Sequence, residues 1–211
     1  MLHPLKRMAI KYTQYLPRKL GRFTFNGRAL PYHCAFYNQT WMNERCVEVP
    51  IAMEYVKPGL KILEVGRVLD HYHAFEHDCV DKFEKGAQNI DIMDFKSETR
   101  YDSILTLSTL EHVGWDVAYN EERDAAKIHG AIAILLAHLK PGGKLVATLP
   151  LGYNANLDAD LAKGKRLFDE QYYFRRSALG NWEQVQTPDP RPYVFRDGIA
   201  LSLLVGITTG K

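Results

Sequence analysis

No run of this 211-residue chain sustains the roughly 20 consecutive apolar residues that a membrane-spanning helix requires. The first residues also lack the apolar stretch and small-residue cleavage site of a secretory signal, so a cytoplasmic location is expected. Cysteine is scarce. Cys34, Cys46 and Cys79 are the three in the chain, an odd number without metal-ligand spacing, and they read as reduced, packed thiols rather than a disulfide framework. Gly-x-Ser-x-Gly, the phosphate-binding P-loop and Gly-x-Gly-x-x-Gly are all missing, which argues against a serine hydrolase of that class, a P-loop NTPase and a nicotinamide-dependent enzyme. His71, His73 and His77 straddle a turn with no cysteine or paired carboxylate expected at ligand separation, so no metal site is predicted. Internal repeats and low-complexity tracts are absent as well.

Acid is missing from residues 1–43, which carry seven basic residues: Lys6, Arg7, Lys11, Arg18, Lys19, Arg22 and Arg28. The remainder holds 20 basic against 25 acidic residues. Tyr12, Tyr15, Leu16, Phe23 and Phe25 interleave with the basic arm. That mixture suits peripheral contact with phosphates, anionic lipid or an acidic substrate, and equally suits docking on the chain's own acidic body. No nucleic-acid-binding signature accompanies it. Nothing in the sequence sets the oligomeric state.

With 46% hydrophobic residues the chain can bury one substantial core. We divide it into a basic arm and cap segment, residues 1–57, and one α/β domain, residues 58–211. In the second part short apolar strands alternate with helical stretches, the pattern of a parallel sheet covered on both faces. Strands are predicted at Leu60–Val65, His77–Lys82, Asn89–Ile92, Ser103–Ser108, Lys144–Leu149, Trp182–Gln186 and Ile199–Ile207. Glu121–Leu139 is the clearest helix, with Ile128, Ile132, Leu135, Leu136 and Leu139 on one stripe and Pro141-Gly142-Gly143 ending it. A second helix is predicted over Leu167–Leu179. Gly152–Lys165 is polar and reads as a loop over the carboxyl edge of the sheet, and Thr187–Pro192 as a rigid connection.

The segment Lys61-Ile-Leu-Glu-Val-Gly-Arg-Val-Leu-Asp-His-Tyr72 is an apolar strand ending on a carboxylate and a glycine. A glycine there lets the backbone turn close to a bound ligand. Seventeen residues beyond Glu64, at the end of the second strand, Asp81 can accept both hydroxyls of a ribose, the role acids play at that place in nucleotide-binding folds. Further on come Asn89-Ile-Asp-Ile-Met-Asp-Phe95, then Tyr101-Asp-Ser-Ile-Leu-Thr-Leu-Ser-Thr-Leu-Glu-His-Val113, then Leu139-Lys-Pro-Gly-Gly-Lys-Leu-Val-Ala-Thr-Leu-Pro150.

Together these segments resemble the class I S-adenosylmethionine-dependent methyltransferase superfamily over roughly residues 58 to 150. Of that superfamily's E-x-G-x-G-x-G only the first glycine is kept, with Val68 and Asp70 at the later positions and Arg67 between. The resemblance implies a Rossmann-like three-layer sandwich whose seven-stranded, mostly parallel sheet ends in an antiparallel strand. It implies S-adenosylmethionine as cofactor, held by Glu64, Gly66, Arg67, Asp81, Asp91, Ile92 and Thr109, with Asp91 on the adenine amino group and Arg67 toward the methionine carboxylate. Methyl transfer is an in-line displacement that mostly needs a positioned acceptor, with a base when the acceptor is a hydroxyl. His112 is the candidate base and Glu111 its orienting partner; a histidine that only shapes the cofactor pocket fits the same motif. Asn38, Trp41, Asn43 and Arg45, from the polar and aromatic segment before the first strand, together with Trp115 and Tyr153, are candidates for the acceptor pocket. Their chemistry suits a small-molecule or glycan-type acceptor methylated on oxygen. Helix capping by Thr40 or Asn43, with Pro50 in a helix's first turn, explains part of the same segment. A methyltransferase-like binding or scaffold protein is the alternative.

Overall fold

The computed structural model describes residues 13–115, 123–178, 180–189 and 199–211. The described residues open with a helix over residues 13–20 (α1) and a hairpin of β1 (Arg22–Phe25) and β2 (Arg28–Pro31). Asn26 and Gly27 turn that hairpin at φ 47° and 76°, the left-handed pair an Asn-Gly turn supplies. A distorted 3-10 turn over Tyr37–Met42 leads into α2 (Arg45–Met53).

Four strands then form the parallel half of the sheet: β3 (Ile62–Val65), β4 (Asp78–Val80), β5 (Tyr101–Leu107) and β6 (Leu139–Pro150). Helix α3 (Lys127–Ala137) crosses from β5 to β6, and α4 (Ala155–Ala162) follows β6. β7 (Glu170–Arg176), β8 (Trp182–Val185) and β9 (Ser202–Thr209) complete a seven-stranded sheet of order β4-β3-β5-β6-β9-β7-β8. β9 runs antiparallel to both β6 and β7, and β8 antiparallel to β7. The architecture is the expected Rossmann-like sandwich with an antiparallel last strand.

Its membership differs from the sequence reading in several places. Asn89–Ile92 is not a strand; Asp91 instead caps a 3-10 turn over Ile92–Asp94 by accepting the Met93 N–H at 3.0 Å. The predicted helix over Leu167–Leu179 is strand β7 through Arg176, and Leu179 lies outside the described residues. β-formers Tyr172, Tyr173 and Phe174 sit where β8 and β9 offer pairing partners on both sides, and tertiary pairing overrides the helical pattern. Gly152–Lys165 is not all loop: the Asn154 side chain accepts the N–H groups of Asn156 and Leu157, both at 3.1 Å, and starts α4, which buries Leu157 and Leu161.

Helix α3 begins at Lys127; residues 116–122, which include the predicted start at Glu121, are not described. It ends at Ala137, so Leu139 belongs to β6 rather than to the helix, and the ladder with β5 shifts register between Tyr101 and Ser103. The connection Thr187–Pro192 falls partly outside the described residues. Pro50 lies inside α2, not in its first turn. A proline there leaves the carbonyl four residues earlier without its helical donor, and the structure supplies another: the His33 N–H donates to Cys46 O at 2.9 Å.

The sheet is buried on both faces. Alternate residues of one strand serve the two layers, so Ile104 packs with Ile128, Ile132 and Leu135 of α3, while Leu105 and Leu107 pack with Cys46, Val47 and Ile51 of α2. Phe23 and Phe25 of the hairpin cover the antiparallel half of that second face. Among the described residues no helix is long and apolar enough to cross a membrane.

Candidate functional site

From β3 the sheet grows in both directions, to β4 on one side and β5 on the other. Such a switch point opens a crevice at the carboxyl ends of the strands, and a cleft of about 400 Å³ lies there.

Its floor is the turn after β3. Gly66 has φ 81° and donates its N–H to Val80 O at 2.8 Å. The turn continues as a 3-10 segment over Leu69–His71, with Val68 at φ −114° and ψ −53°. Positive φ is therefore required only at Gly66, which explains how Val68 and Asp70 replace glycines. The buried carboxylate of Glu64 holds the turn in place: Oε1 accepts the Val68 N–H at 2.8 Å and the Leu69 N–H at 2.5 Å, while Oε2 lies 3.0 Å from His77 Nε2. Glu64 does not line the cleft.

Asp81, just past β4, does line it. Oδ2 accepts the Arg67 N–H at 3.0 Å, and Oδ1 accepts those of Phe83 and Glu84, both at 2.8 Å. Burial works against the Asp81 charge, and the hydrogen bonds from Arg67, Glu84 and Phe83 overcome it, holding the carboxyl below its ordinary value. Asp91 and Ile92 also face the cleft. Asp91 pairs with Lys82 at 2.8 Å; there too burial is outweighed, by Lys82 first and the Met93 N–H next, and the acid stays ionised. The Arg67 guanidinium spans the rim, bonded to Asp70 at 2.8 Å and to Lys85 O at 2.6 Å.

The segment before β3 and the end of β5 supply further lining residues. Arg45, on the first turn of α2, reaches the cleft with NH1 2.5 Å from Glu48 Oε2. Glu48 is fully buried, and its Oε1 accepts the hydroxyls of Ser108 at 2.6 Å and Thr148 at 2.7 Å. Burial disfavours the Arg45 charge, but Glu48 and Glu44 more than offset that and keep it protonated. Two of the cleft's residues carry backbone strain: Asn38 at φ 54° and Ser108 at φ 43°. A left-handed non-glycine residue costs on the order of 1 kcal/mol and is concentrated at functional sites.

His112 lines the cleft beside Thr109, and its ring lies 4.6 Å from that of Tyr153. Glu111 is turned inward and is 1% exposed. Its Oε1 is 3.6 Å from His112 Nε2, beyond a hydrogen bond. Burial pushes the Glu111 carboxyl well above its ordinary value. The expected orienting pair is thus present as a 3.6 Å contact and not as a hydrogen bond.

The structure gathers Gly66, Arg67, Asp81, Asp91, Ile92, Thr109, His112, Asn38 and Arg45 around one cleft. Trp41 is not among its lining residues: it is buried against Tyr15 and Phe36. Asn43 serves the local backbone, donating to Asn38 O and accepting the Arg45 N–H, both at 3.1 Å. Trp115 lies under the Arg123 guanidinium. Tyr37, His71 and Tyr72, which sequence reading missed, also line the cleft, and Tyr37 stacks on His71 with ring centroids 4.8 Å apart. No spacing in the chain signals that pairing, because the two residues meet only once the turn after β3 is folded against the segment before it.

Spacing alone predicts no cysteine or carboxylate at ligand distance from His77, yet Glu64, His77 and Cys79 bring one ligand atom each within 4.8 Å of one another. Glu64 and Cys79 are register partners of β3 and β4. The bonds already made account for the group. Glu64 Oε1 is taken by two N–H groups, Oε2 faces His77, and burial pushes the Cys79 thiol up to about 12.

No family model matches the chain, and a search of curated proteins finds no match. Among solved structures the chain is similar to N-methyltransferase NodS from Bradyrhizobium japonicum WM9 in complex with S-adenosyl-L-homocysteine, at 13% identity over 72% of this chain and 78% of that one, TM-score 0.45. It is also similar to the putative methyltransferase solved with the Haloferax volcanii Trm112 methyltransferase activator, at 13% identity over 77% and 88%, TM-score 0.46. A third is SAM-bound CalS10, an amino pentose methyltransferase from Micromonospora echinaspora, at 12% identity over 76% and 89%, TM-score 0.40. These similarities, at such identities and scores, fix neither a family nor a ligand for this chain.

Proposed function

We propose that the chain is a methyltransferase that uses S-adenosylmethionine and methylates a small-molecule or glycan-type acceptor, on oxygen where the acceptor is a hydroxyl. The observation that carries this reading is that the ionised carboxylates of Asp81 and Asp91 line the switch-point cleft together with His112 and Arg45.

The residues present fit an adenosyl ligand. Gly66 offers backbone without a side chain at the deepest point of the turn, Asp81 offers carboxylate lone pairs suited to vicinal hydroxyls, and Asp91 with Ile92 offers an acceptor beside an apolar face. When bound, the cofactor supplies an electrophilic methyl group. Asp81 and Asp91 bind and orient, Thr109 closes against Gly66, and Arg67 braces the rim through Asp70 and Lys85. His112 takes the acceptor's proton as it is alkylated, and Arg45, Asn38 and Tyr37 hold the acceptor. Trp41, Asn43 and Glu111 act behind this layer by fixing backbone and packing, and Tyr153 packs on the His112 ring.

Calorimetric titration with S-adenosylmethionine and S-adenosylhomocysteine, with NAD as control, tests the reading. Binding of both adenosyl ligands and not NAD is the expected result. Absence of binding would sink it and favour a binding or scaffold role, for which the full engagement of Asp81 by three backbone N–H groups is the supporting observation. Transfer of labelled methyl to hydroxylated acceptors then separates oxygen from nitrogen acceptors.

A further inference from the structure

The His77 ring lies between two acceptors. Nδ1 is 3.0 Å from Phe75 O, and Nε2 is 3.0 Å from Glu64 Oε2. A neutral imidazole carries a single N–H. With that hydrogen on Nδ1 for the Phe75 carbonyl, a ring lone pair faces a carboxylate oxygen, and the contact requires a positive centre between them, either a second ring proton or a metal ion. The hydrogen bonds described above correspond to the first case. A backbone carbonyl on the other ring nitrogen is also the partner that orients a metal-binding histidine and leaves Nε2 to the ion.

The strands set a third donor beside this pair. Cys79 follows His77 by the two-residue step that returns a side chain to the same face of an extended segment, and it is the register partner of Glu64 on β3. One donor atom from each of the three lies within 4.8 Å of the others. Around a tetrahedral zinc ion, nitrogen and oxygen donors stand about 3.3 Å apart and sulfur about 3.6 Å from either. The carboxylate and the ring are close to that spacing, and the thiol has roughly 1 Å at most to close.

The surroundings suit a cation. The Glu64 and His77 side chains are 0% and 4% exposed, while Cys79 is only partly buried and leaves the group an approach from solvent. Burial first, then the charges of Glu64, Asp70 and Asp81, push the Cys79 thiol up to about 12, with Arg67 opposing. Those same carboxylates attract a metal ion, and a coordinated thiol is deprotonated outright. A divalent ion held by a carboxylate, a thiolate and a neutral imidazole leaves no net charge in the buried group.

We propose that Glu64, His77 and Cys79 bind a zinc ion through Oε2, Nε2 and Sγ, with water as the fourth ligand. Imidazole and thiolate donors select zinc over magnesium and calcium, which take oxygen ligands. Binding sends the thiol proton, and any second ring proton, to solvent. The ion joins β4 to β3 behind the turn whose Val68 and Leu69 N–H groups Glu64 Oε1 holds. None of the three residues lines the cleft, so zinc stiffens the cleft floor from behind, and the inference does not depend on the methyl-transfer reading.

The test is calorimetric titration of the chelator-treated full chain with zinc chloride, for wild type, Cys79→Ser and His77→Gln, with magnesium chloride as control. Cobalt(II) absorption reports the thiolate directly. The expected result is one equivalent of zinc bound by the wild type, a higher thermal midpoint in its presence, and a thiolate-to-cobalt band that Cys79→Ser removes. Each variant is expected to bind zinc on the order of a hundredfold more weakly, as much as loss of an outer-shell partner costs at its largest. A cooperative thermal transition of each variant in chelator separates lost binding from lost fold. Failure of the wild type to bind zinc would overturn the proposal, and so would wild-type affinity in either variant or a cobalt band that survives Cys79→Ser. Equal binding of magnesium would overturn it too, by reducing the group to a patch of negative charge.

Discussion

Gly66 and Thr109 meet where β3 and β5 end: a Cβ built on Gly66 would run into the Thr109 hydroxyl and lie 2.8 Å from its methyl carbon. Gly66 also sits at φ 81°. Gly66→Ala therefore carries a steric cost and a conformational one, together roughly 2–4 kcal/mol. Thr109→Ala relieves the larger part of the first, although its remaining Cβ would still lie 2.9 Å away, and leaves the second untouched. In a double-mutant cycle followed by urea unfolding, Thr109→Ala should restore part of the stability lost in Gly66→Ala and leave at least about 1 kcal/mol unrecovered. Strict additivity would mean that the two residues do not touch.

Asp81 holds three backbone N–H groups, so its removal acts on the loop as well as on any ligand. Asp81→Ala should destabilise the protein by about 1–3 kcal/mol and abolish adenosyl-ligand binding. Asp81→Asn keeps one carbonyl oxygen for the Phe83 and Glu84 N–H groups. It is expected to recover most of the stability while binding stays at least about tenfold weaker, as loss of a charge-assisted hydrogen bond requires. Calorimetry beside chemical denaturation reads both effects, and wild-type affinity in Asp81→Asn would reject a ligand role for the carboxylate.

His77 and His33 give the stability of this region opposite pH slopes. The hydrogen bond to Glu64 raises the His77 pKa above its ordinary 6.5 against the effect of burial. The stabilisation from that pair is complete below pH 6.5 and is lost as pH rises through the raised value. Burial, with His73 and Lys19 adding to it, lowers the His33 pKa to about 4. Its contribution is complete above 6.5 and is lost as pH falls through about 4. Thermal midpoints measured over about pH 4 to 9 should show the alkaline decline flattened in His77→Gln. The acid decline should flatten in His33→Gln. Unchanged slopes in either variant would remove that histidine from the account.

The parallel strands and the cleft end of the domain were legible because they rest on local signals: apolar runs at Ile62–Val65 and Tyr101–Leu107, a glycine at the turn, and acids just after β4 and before the Ile92 turn. What could not be read depends on distant partners. Tyr172-Tyr-Phe174 became a strand because β8 and β9 are present to pair with it. Pro50 is tolerated inside α2 because His33, seventeen residues earlier, supplies the missing donor. Glu64 reads as a cofactor ligand in the chain and acts instead as the buried clamp of the turn. That role depends on the N–H groups of Val68 and Leu69 pointing back at it, which no motif spells out. Asn154 was a readable cap, with Leu157 and Leu161 one helical turn apart, and the polarity around it hid the signal.

Glu48 offers a way to separate what holds the cleft from what the cleft does. Its carboxylate gathers Arg45, Ser108 and Thr148, joining α2 to the ends of β5 and β6. Glu48→Ala strands the Arg45 guanidinium in a buried setting and should cost about 3–5 kcal/mol, whereas replacing both partners with apolar residues of similar size is often neutral. Arg45→Met/Glu48→Leu is therefore expected to unfold at a denaturant concentration close to wild type and well above Glu48→Ala. If Arg45 holds the acceptor, the same double variant keeps adenosyl-ligand affinity and loses methyl transfer, a split that a purely structural arginine would not produce. Loss of stability in the double variant equal to that of Glu48→Ala would show that the hydroxyls of Ser108 and Thr148, rather than the ion pair, depend on the carboxylate.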